Sequence, residues 1–202
     1  MEVGVVAEPL DLENRKRIFE CVRVNPGLHF REIQRRTNLP IGVLDYHLNY
    51  LVQRGIVSVV RQEGFSRYYP AGQLGADKQR HLSCLRQEIP RGIILYLLQN
   101  PGATHGELLQ NFTISGGTLS YHIKKLVARG CLSLEKKGRE SHLSVSDPQA
   151  MTDLLIIYRR TFFDRLVDEF VAAYVERKGG SMAPPPQNED RKEDQKEDIG
   201  KE

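Results

Sequence analysis

The tripeptide Asn25-Pro26-Gly27 returns as Asn100-Pro101-Gly102, an offset of 75 residues. The same offset then runs without a gap. It pairs Glu32 with Glu107, Gly42 with Gly117, Leu44 with Leu119, Tyr46-His47 with Tyr121-His122, Leu51-Val52 with Leu126-Val127, Arg54-Gly55 with Arg129-Gly130, and Ser58 with Ser133. A register kept across apolar and polar positions alike means two copies of one folding unit. Neither copy is long enough for a large core, so flanking helices are expected to help cover its apolar surface.

In copy one, Leu12, Ile18, Cys21 and Val22 fit a helix started by Asp11 and stopped at Asn25-Pro26-Gly27. Phe30 to Thr37 reads as a second short helix, and Asn38-Leu39-Pro40 as a turn. Ile41 to Arg54 is a third helix, amphipathic and stopped by Gly55. The β-rich runs 56–60 and 66–69 flank Gln62-Glu63-Gly64-Phe65 as a hairpin. Copy two repeats this order with helices Arg91–Gln99, His105–Asn111 and Gly116–Arg129, then strands Cys131–Lys136 and Ser141–Val145 around Lys137-Gly138-Arg139. Its hairpin reads as one residue shorter, a deletion that a surface tip tolerates. This order of elements is a winged helix-turn-helix.

The expected class is mainly α with small β-hairpin wings, divided as follows. Residues 1–10 are irregular, 11–72 form the first winged-helix domain, 73–89 a linker helix ended before Pro90, and 90–146 the second domain. Residues 147–178 lack internal proline and glycine and read as one long C-terminal helix begun at Asp147-Pro148. Residues 179–202 read as a disordered charged tail, because a proline run and mixed charges offer nothing to bury.

Composition narrows the class. No apolar run approaches the roughly 18 residues that span a bilayer, and the start of the chain lacks the pattern of a signal peptide. Three scattered cysteines fit reduced thiols, and with them a cytoplasmic protein. Of the net charge of +3, residues 183–202 contribute −3 from seven acids and four bases, which leaves +6 on the rest. A basic body is compatible with nucleic acid. There is no glycine-rich phosphate loop, nucleophile motif or fixed carboxylate pair, so neither an enzyme nor a bound cofactor is expected.

Thr118-Leu119-Ser120-Tyr121-His122-Ile123-Lys124-Lys125-Leu126, followed by Val127-Ala128-Arg129-Gly130, resembles the recognition helix of the ArsR/MarR-type winged-helix regulators. Val43-Leu44-Asp45-Tyr46-His47-Leu48-Asn49-Tyr50-Leu51 shares the resemblance, which covers most of residues 12–70 and 90–145. The tandem arrangement followed by a helix is similar to uncharacterised archaeal regulators. The resemblance implies a DNA-binding transcription regulator. The metal-sensing cysteine pair of some ArsR-type proteins is absent from both copies.

The residues support a DNA reading on their own terms. In a helix-turn-helix the third helix enters the major groove. With Leu119, Ile123 and Leu126 inward, Thr118, Ser120, Tyr121, Lys124 and Lys125 are expected to face out, offering hydroxyls to bases or phosphates and ammonium groups to phosphates. Copy one by the same rotation exposes Val43, Asp45, Tyr46, Asn49 and Tyr50. Asp45 repels phosphate where copy two has Ser120, so copy two is the stronger expected contact, and copy one is either specialised or binds a protein. The wings add Arg61 and Arg67 in copy one, and Lys136, Lys137 and Arg139 in copy two, as phosphate contacts, against the alternative of an ordinary solvated charged surface.

His47 and His122 read as partly buried, hydrogen-bonded side chains, and Cys131 as a small buried hydrophobe. His81 and Cys84 lie three apart but lack the further ligands a zinc site needs, so no metal is expected. The stripe Leu155, Tyr158, Phe162, Leu166 and Phe170 is expected either to dimerise the chain or to fold back over its own domains. The leading expectation is a homodimeric regulator of double-stranded DNA. The alternative is a tandem winged-helix scaffold for protein partners in a chromosome-maintenance or transcription-machinery complex.

Overall fold

The computed structural model describes residues 13–177 except Glu63, Arg139 and Phe163. The predicted irregular N-terminus, the Asp11 start of the first helix and the charged tail therefore lie outside the described residues, as does the wing residue Arg139. Copy one comprises α1 (Glu13–Val24), β1 (Leu28–His29), α2 (Phe30–Thr37), α3 (Ile41–Gln53), β2 (Val57–Gln62) and β3 (Phe65–Pro70). After α4 (Ala76–Leu85), copy two comprises α5 (Glu88–Gln99), β4 (Ala103–Thr104), α6 (His105–Gln110), α7 (Gly116–Ala128), β5 (Leu132–Lys137) and β6 (Glu140–Val145). The described chain closes with α8 (Pro148–Phe162) and α9 (Arg165–Arg177).

The recurring Asn-Pro-Gly is a helix stop with a defined job. Asn25 and Asn100 each donate a side-chain N–H to a carbonyl in the last turn of the helix before them, Cys21 and Tyr96, at 3.0 Å. Gly27 and Gly102 then take φ of 83° and 84°, which favours glycine. Their amides donate to the Tyr68 and Leu143 carbonyls, 2.8 and 2.9 Å away, across the sheet. That turn delivers the chain into β1 and β4, short strands the sequence did not reveal. The two antiparallel sheets are ordered β1-β3-β2 and β4-β6-β5.

Glu32 and Glu107, matched in the repeat, serve one purpose. Each accepts from the backbone N–H of the residue starting its short helix, His29 or Thr104, whose side chain accepts in return. Reciprocal caps of this kind satisfy N–H groups that a helix start leaves unpaired.

The strand register corrects one expectation. Val57 pairs with Pro70 and Gln62 with Phe65, while Leu132 pairs with Val145 and Lys137 with Glu140. Both wings therefore have two-residue turns and equal strands, and the second is not one residue shorter. The offset of 75 extends from the start of α1 and α5 to the end of β3 and β6. Pro90 likewise sits inside the first turn of α5, where its missing N–H would have no helical partner, so this helix starts before proline and not after it.

The single long helix expected over 147–178 is two. No proline or glycine breaks it; tertiary contacts do. Asp164 accepts from the Leu166 amide at 2.9 Å as the cap of α9, and its other oxygen takes a bond from Arg91 of α5 at 2.6 Å. The hairpin so formed turns Leu155, Val167, Phe170 and Val171 into the core. Fold-back, the second of the two expectations for the stripe, is what the structure displays for these side chains.

The cores of the two copies are unequal. Copy one packs Ile18, Val22, Ile33, Leu44, Leu48 and Leu51 around Leu28 and Val57. The other core joins copy two to α4 through Leu82 and Leu85, and to the C-terminal hairpin through Met151, Leu154 and Leu155. Tyr69 of β3 belongs to this second core, and its hydroxyl donates to the Gln79 carbonyl of α4 at 3.0 Å.

Candidate nucleic-acid interface

Leu44, Leu48 and Leu51 pin the inner face of α3, and Leu119, Ile123 and Leu126 that of α7, which fixes what each helix shows to solvent. The most exposed aromatic on each is the matched tyrosine: Tyr46 at 63% and Tyr121 at 58%. Each ring meets the following histidine edge-on, with centroids 5.1 and 5.2 Å apart. Lys124 is exposed, and the Lys125 ammonium sits 5.5 Å from the Tyr121 ring centroid. Tyr121, Lys124 and Lys125 thus share one surface of α7. Lys136 and Lys137 are exposed on β5, although Lys137 lies 3.5 Å from Glu135, which tempers the charge of the wing.

Four side chains expected at the interface are engaged elsewhere. The Ser120 hydroxyl is 3.0 Å from His105 Nε2, so it ties α7 to α6 instead of facing out. Thr118 closes the helix start: its amide donates to Ser115 Oγ at 3.1 Å, and the two hydroxyls are 2.9 Å apart. Val43 is half-buried against the core of copy one. Arg67 turns back from the wing and donates to the Gly27 carbonyl at 2.8 Å. In copy one that leaves Asp45, Tyr46 and Asn49 exposed on α3, and Arg61 on the wing. Asp45 is close enough to Tyr68 that its carboxylate, after burial, helps hold that phenol above its usual pKa. Tyr50 is covered by the Arg15 guanidinium, 3.5 Å from its ring centroid.

His47 is buried and His122 half-buried, with each Nδ1 enclosed and lacking a hydrogen-bond partner among the described residues. Burial lowers both imidazole pKa values, seconded by Arg15 for His47 and by Lys125 for His122. The hydrogen bond expected of them is therefore not seen at Nδ1. His81 is also buried, and Cys84 Sγ lies 3.2 Å from Cys131 Sγ. In that thiol pair the bond from Cys131, helped by Arg129 and opposed by burial, pulls the Cys84 thiol below its usual pKa. Forty-seven positions separate the two cysteines, so no local spacing signal could have paired them.

Of the apolar stripe, Leu155 and Phe170 are buried, and Phe162 lies under Arg86 and Arg91, whose guanidiniums are 4.9 and 5.7 Å from its ring centroid. Tyr158 is partly buried against the same core. Leu166 is 58% exposed and Ile157 60%.

Two three-helix units, each followed by a hairpin packed on a short third strand and each presenting an amphipathic third helix, define a tandem winged helix-turn-helix protein. Comparison with known families agrees for both copies. Residues 12–82 match the HTH_HVO_0163_N family, described as an N-terminal HTH domain, and residues 86–132 match HTH_24, described as winged helix-turn-helix DNA-binding.

Among curated proteins the chain is similar to a protein of Methanocaldococcus jannaschii named "Uncharacterized HTH-type transcriptional regulator MJ1398". Identity is 27% over 126 residues, covering 62% of this chain and 32% of the relative. The chain thus spans about a third of the length of that relative. Among solved structures it aligns with one titled "Crystal structure of Possible transcriptional regulator for arsenical resistance" at 26% identity and a TM-score of 0.34, covering 46% of this chain and 95% of the other. No helix among the described residues is long and apolar enough to cross a membrane.

Proposed function

We propose that the chain is a sequence-specific regulator that binds double-stranded DNA, with α7 in the major groove as its stronger reader and α3 as the weaker. The observation that carries this reading is the matched pair of exposed tyrosines on the two third helices. On α7 that tyrosine is flanked by Lys124 and Lys125. An aromatic hydroxyl beside two ammonium groups suits a phosphate-lined groove, where cations release condensed counterions. The carboxylate of Asp45 opposes the same docking in copy one. A face that docks protein partners would be expected to carry fewer lysines at its centre. The chain acts by occlusion or recruitment at a promoter, in the cytoplasm.

The test is the salt dependence of duplex binding. Replacing both lysines (Lys124→Ala/Lys125→Ala) should flatten log affinity against log salt by about 0.9 for each phosphate that is no longer neutralised. An unchanged slope and affinity would remove α7 from the interface.

We further propose a homodimer formed through the α8–α9 hairpin, supported by Leu166 of the stripe and by Ile157 outside it, both of which remain exposed. Light scattering should give twice the chain mass for the wild type and the single mass for Ile157→Glu/Leu166→Glu. A monomeric wild type would end this reading.

A further inference from the structure

Cys84 and Cys131 lie 47 positions apart, on elements that the fold presses together. Cys84 is the next-to-last residue of α4, and Cys131 stands between the end of α7 and the start of β5. Both are free thiols and both are fully buried, with their Sγ atoms 3.2 Å apart. A disulfide bond measures about 2 Å, so the sulfurs need to approach by only about an ångström. The fold itself does not call for a thiol at 131. The matched position in copy one is Ile56, whose amide donates to the Leu51 carbonyl at 3.0 Å, as the Cys131 amide does to Leu126 at 2.9 Å. An aliphatic side chain therefore serves the same turn.

The two thiols are not equivalent. Cys84 Sγ takes the hydrogen bond of the Cys131 thiol, and Arg129 Nη1 donates to it at 3.7 Å. Both bonds favour the thiolate at Cys84 and, against burial, hold its pKa below the usual thiol value. The same hydrogen bond, with burial, pushes the Cys131 thiol up. A thiolate is the nucleophile and a neutral thiol its resolving partner. Mobility divides the pair in the same sense. Cys131 is fixed by its own amide bond and by the Ser146 amide, which donates to its carbonyl at 3.1 Å. Cys84 belongs to the last turn of α4, where helices fray.

We infer that Cys84 and Cys131 are a modification site, joined by hydrogen peroxide into a reversible disulfide that ties α4 to the end of α7. The Cys84 thiolate attacks one peroxide oxygen and breaks the O–O bond, which leaves a sulfenic acid on Cys84. The hydroxide released takes up the proton that Cys84 had given up. Cys131 then attacks the sulfenic sulfur, the S–O bond breaks, and the departing hydroxyl leaves with the Cys131 proton as water. The two thiols lose two electrons, and the peroxide gains them in becoming two waters. A dithiol reverses the bond by exchange.

Enclosure sets the pace of this reaction. A small oxidant reaches the sulfurs when the last turn of α4 opens, so oxidation is slow beside that of an exposed thiol. The bond closes a loop that contains α5, β4, α6 and α7 whole, and it therefore opposes unfolding of the helix-turn-helix of copy two. The site does not rest on the DNA reading.

Peptide mapping of the full chain tests it. Trypsin puts Cys21, Cys84 and Cys131 on separate peptides, residues 18–23, 81–86 and 130–136. The folded protein is treated with hydrogen peroxide and then denatured in iodoacetamide. Two of the three alkylatable thiols should be lost, with peptides 81–86 and 130–136 joined and Cys21 alkylated. Dithiothreitol should restore all three. Cys131→Ala should accumulate the sulfenic acid on Cys84, trapped as a dimedone adduct, whereas Cys84→Ala should give no adduct on Cys131. The mapping itself needs only the wild type, so a variant that folds poorly leaves the test intact. Three alkylated thiols after peroxide, a bond that includes Cys21, or a dimedone adduct on Cys131 in Cys84→Ala overturns the proposal.

Discussion

Arg67 Nη1 donates to the carbonyl of Gly27 at 2.8 Å, and at the matched position of copy two His142 Nδ1 lies 2.7 Å from the carbonyl of Gly102. Two different side chains therefore fasten the same glycine turn to the middle strand of each sheet. Arg67→Ala should cost about 1.5–3 kcal/mol of stability, the range for a hydrogen bond from a charged donor. It should leave the salt slope of DNA binding unchanged, because this guanidinium faces the turn and not a phosphate. Urea unfolding and duplex titration of one variant check both halves, and a flatter salt slope would return Arg67 to the interface.

The break between α8 and α9 rests on Arg91, only 7% exposed, and on its partner Asp164. Arg91→Ala leaves a largely enclosed carboxylate without its charge partner and should destabilise by about 3 kcal/mol. Asp164→Asn keeps the helix cap and should cost less than Asp164→Ala, which loses both cap and charge. Chemical denaturation of the three variants orders them, and equal costs for Asn and Ala would deny the cap its part.

Tyr69 gives an alkaline prediction with a definite sign. Burial, against the pull of the nearby Arg67 and Arg86 guanidiniums, raises its phenol from 10 to about 12. Between those values the unfolded chain has released the proton and the folded one retains it, so stability is fully present below pH 10 and falls as pH rises toward 12. Over two units the loss is about 3 kcal/mol. Tyr69→Phe should lack this decline, at a modest cost at neutral pH from the lost bond to the Gln79 carbonyl. Parallel curves of stability against pH for the two proteins between about 9 and 12 would contradict the raised phenol.

Asp45 offers a gain-of-function test of the DNA reading. It is exposed on α3 at the position Ser120 holds in copy two. Asp45→Asn removes a charge that repels phosphate and should tighten duplex binding, most clearly at low salt. Electrophoretic mobility shifts at two ionic strengths suffice. Weaker binding of the variant would instead mark Asp45 as a base reader that accepts from a cytosine amine.

Periodicity and the repeat made the helices of both copies legible, because Leu44, Leu48 and Leu51 and their counterparts have only one side on which to pack. The match of Glu32 with Glu107 carried the capping pattern in plain view. The two-residue strands stayed hidden, since Leu28-His29 and Ala103-Thr104 become strands only through pairing with residues far along the chain. At the candidate interface, rotation of the helix correctly put Tyr46, Tyr121 and Lys124 outside. It failed for Ser120, and the wing reading failed for Arg67, because their partners His105 and Gly27 lie on other elements. The long C-terminal helix was misread for the same reason: residues 147–178 are locally competent to continue, and Arg91 decides otherwise from α5.

The unequal cores imply an order of opening. Copy one closes on a small set of side chains, while copy two is clad on two sides by α4 and the α8–α9 hairpin. Amide hydrogens of α1 and α3 should therefore exchange with solvent through a local excursion that leaves α5 and α7 protected. Identical backbone registers should then differ in lifetime: the first helix-turn-helix is the part expected to open, and the second the part expected to stay closed.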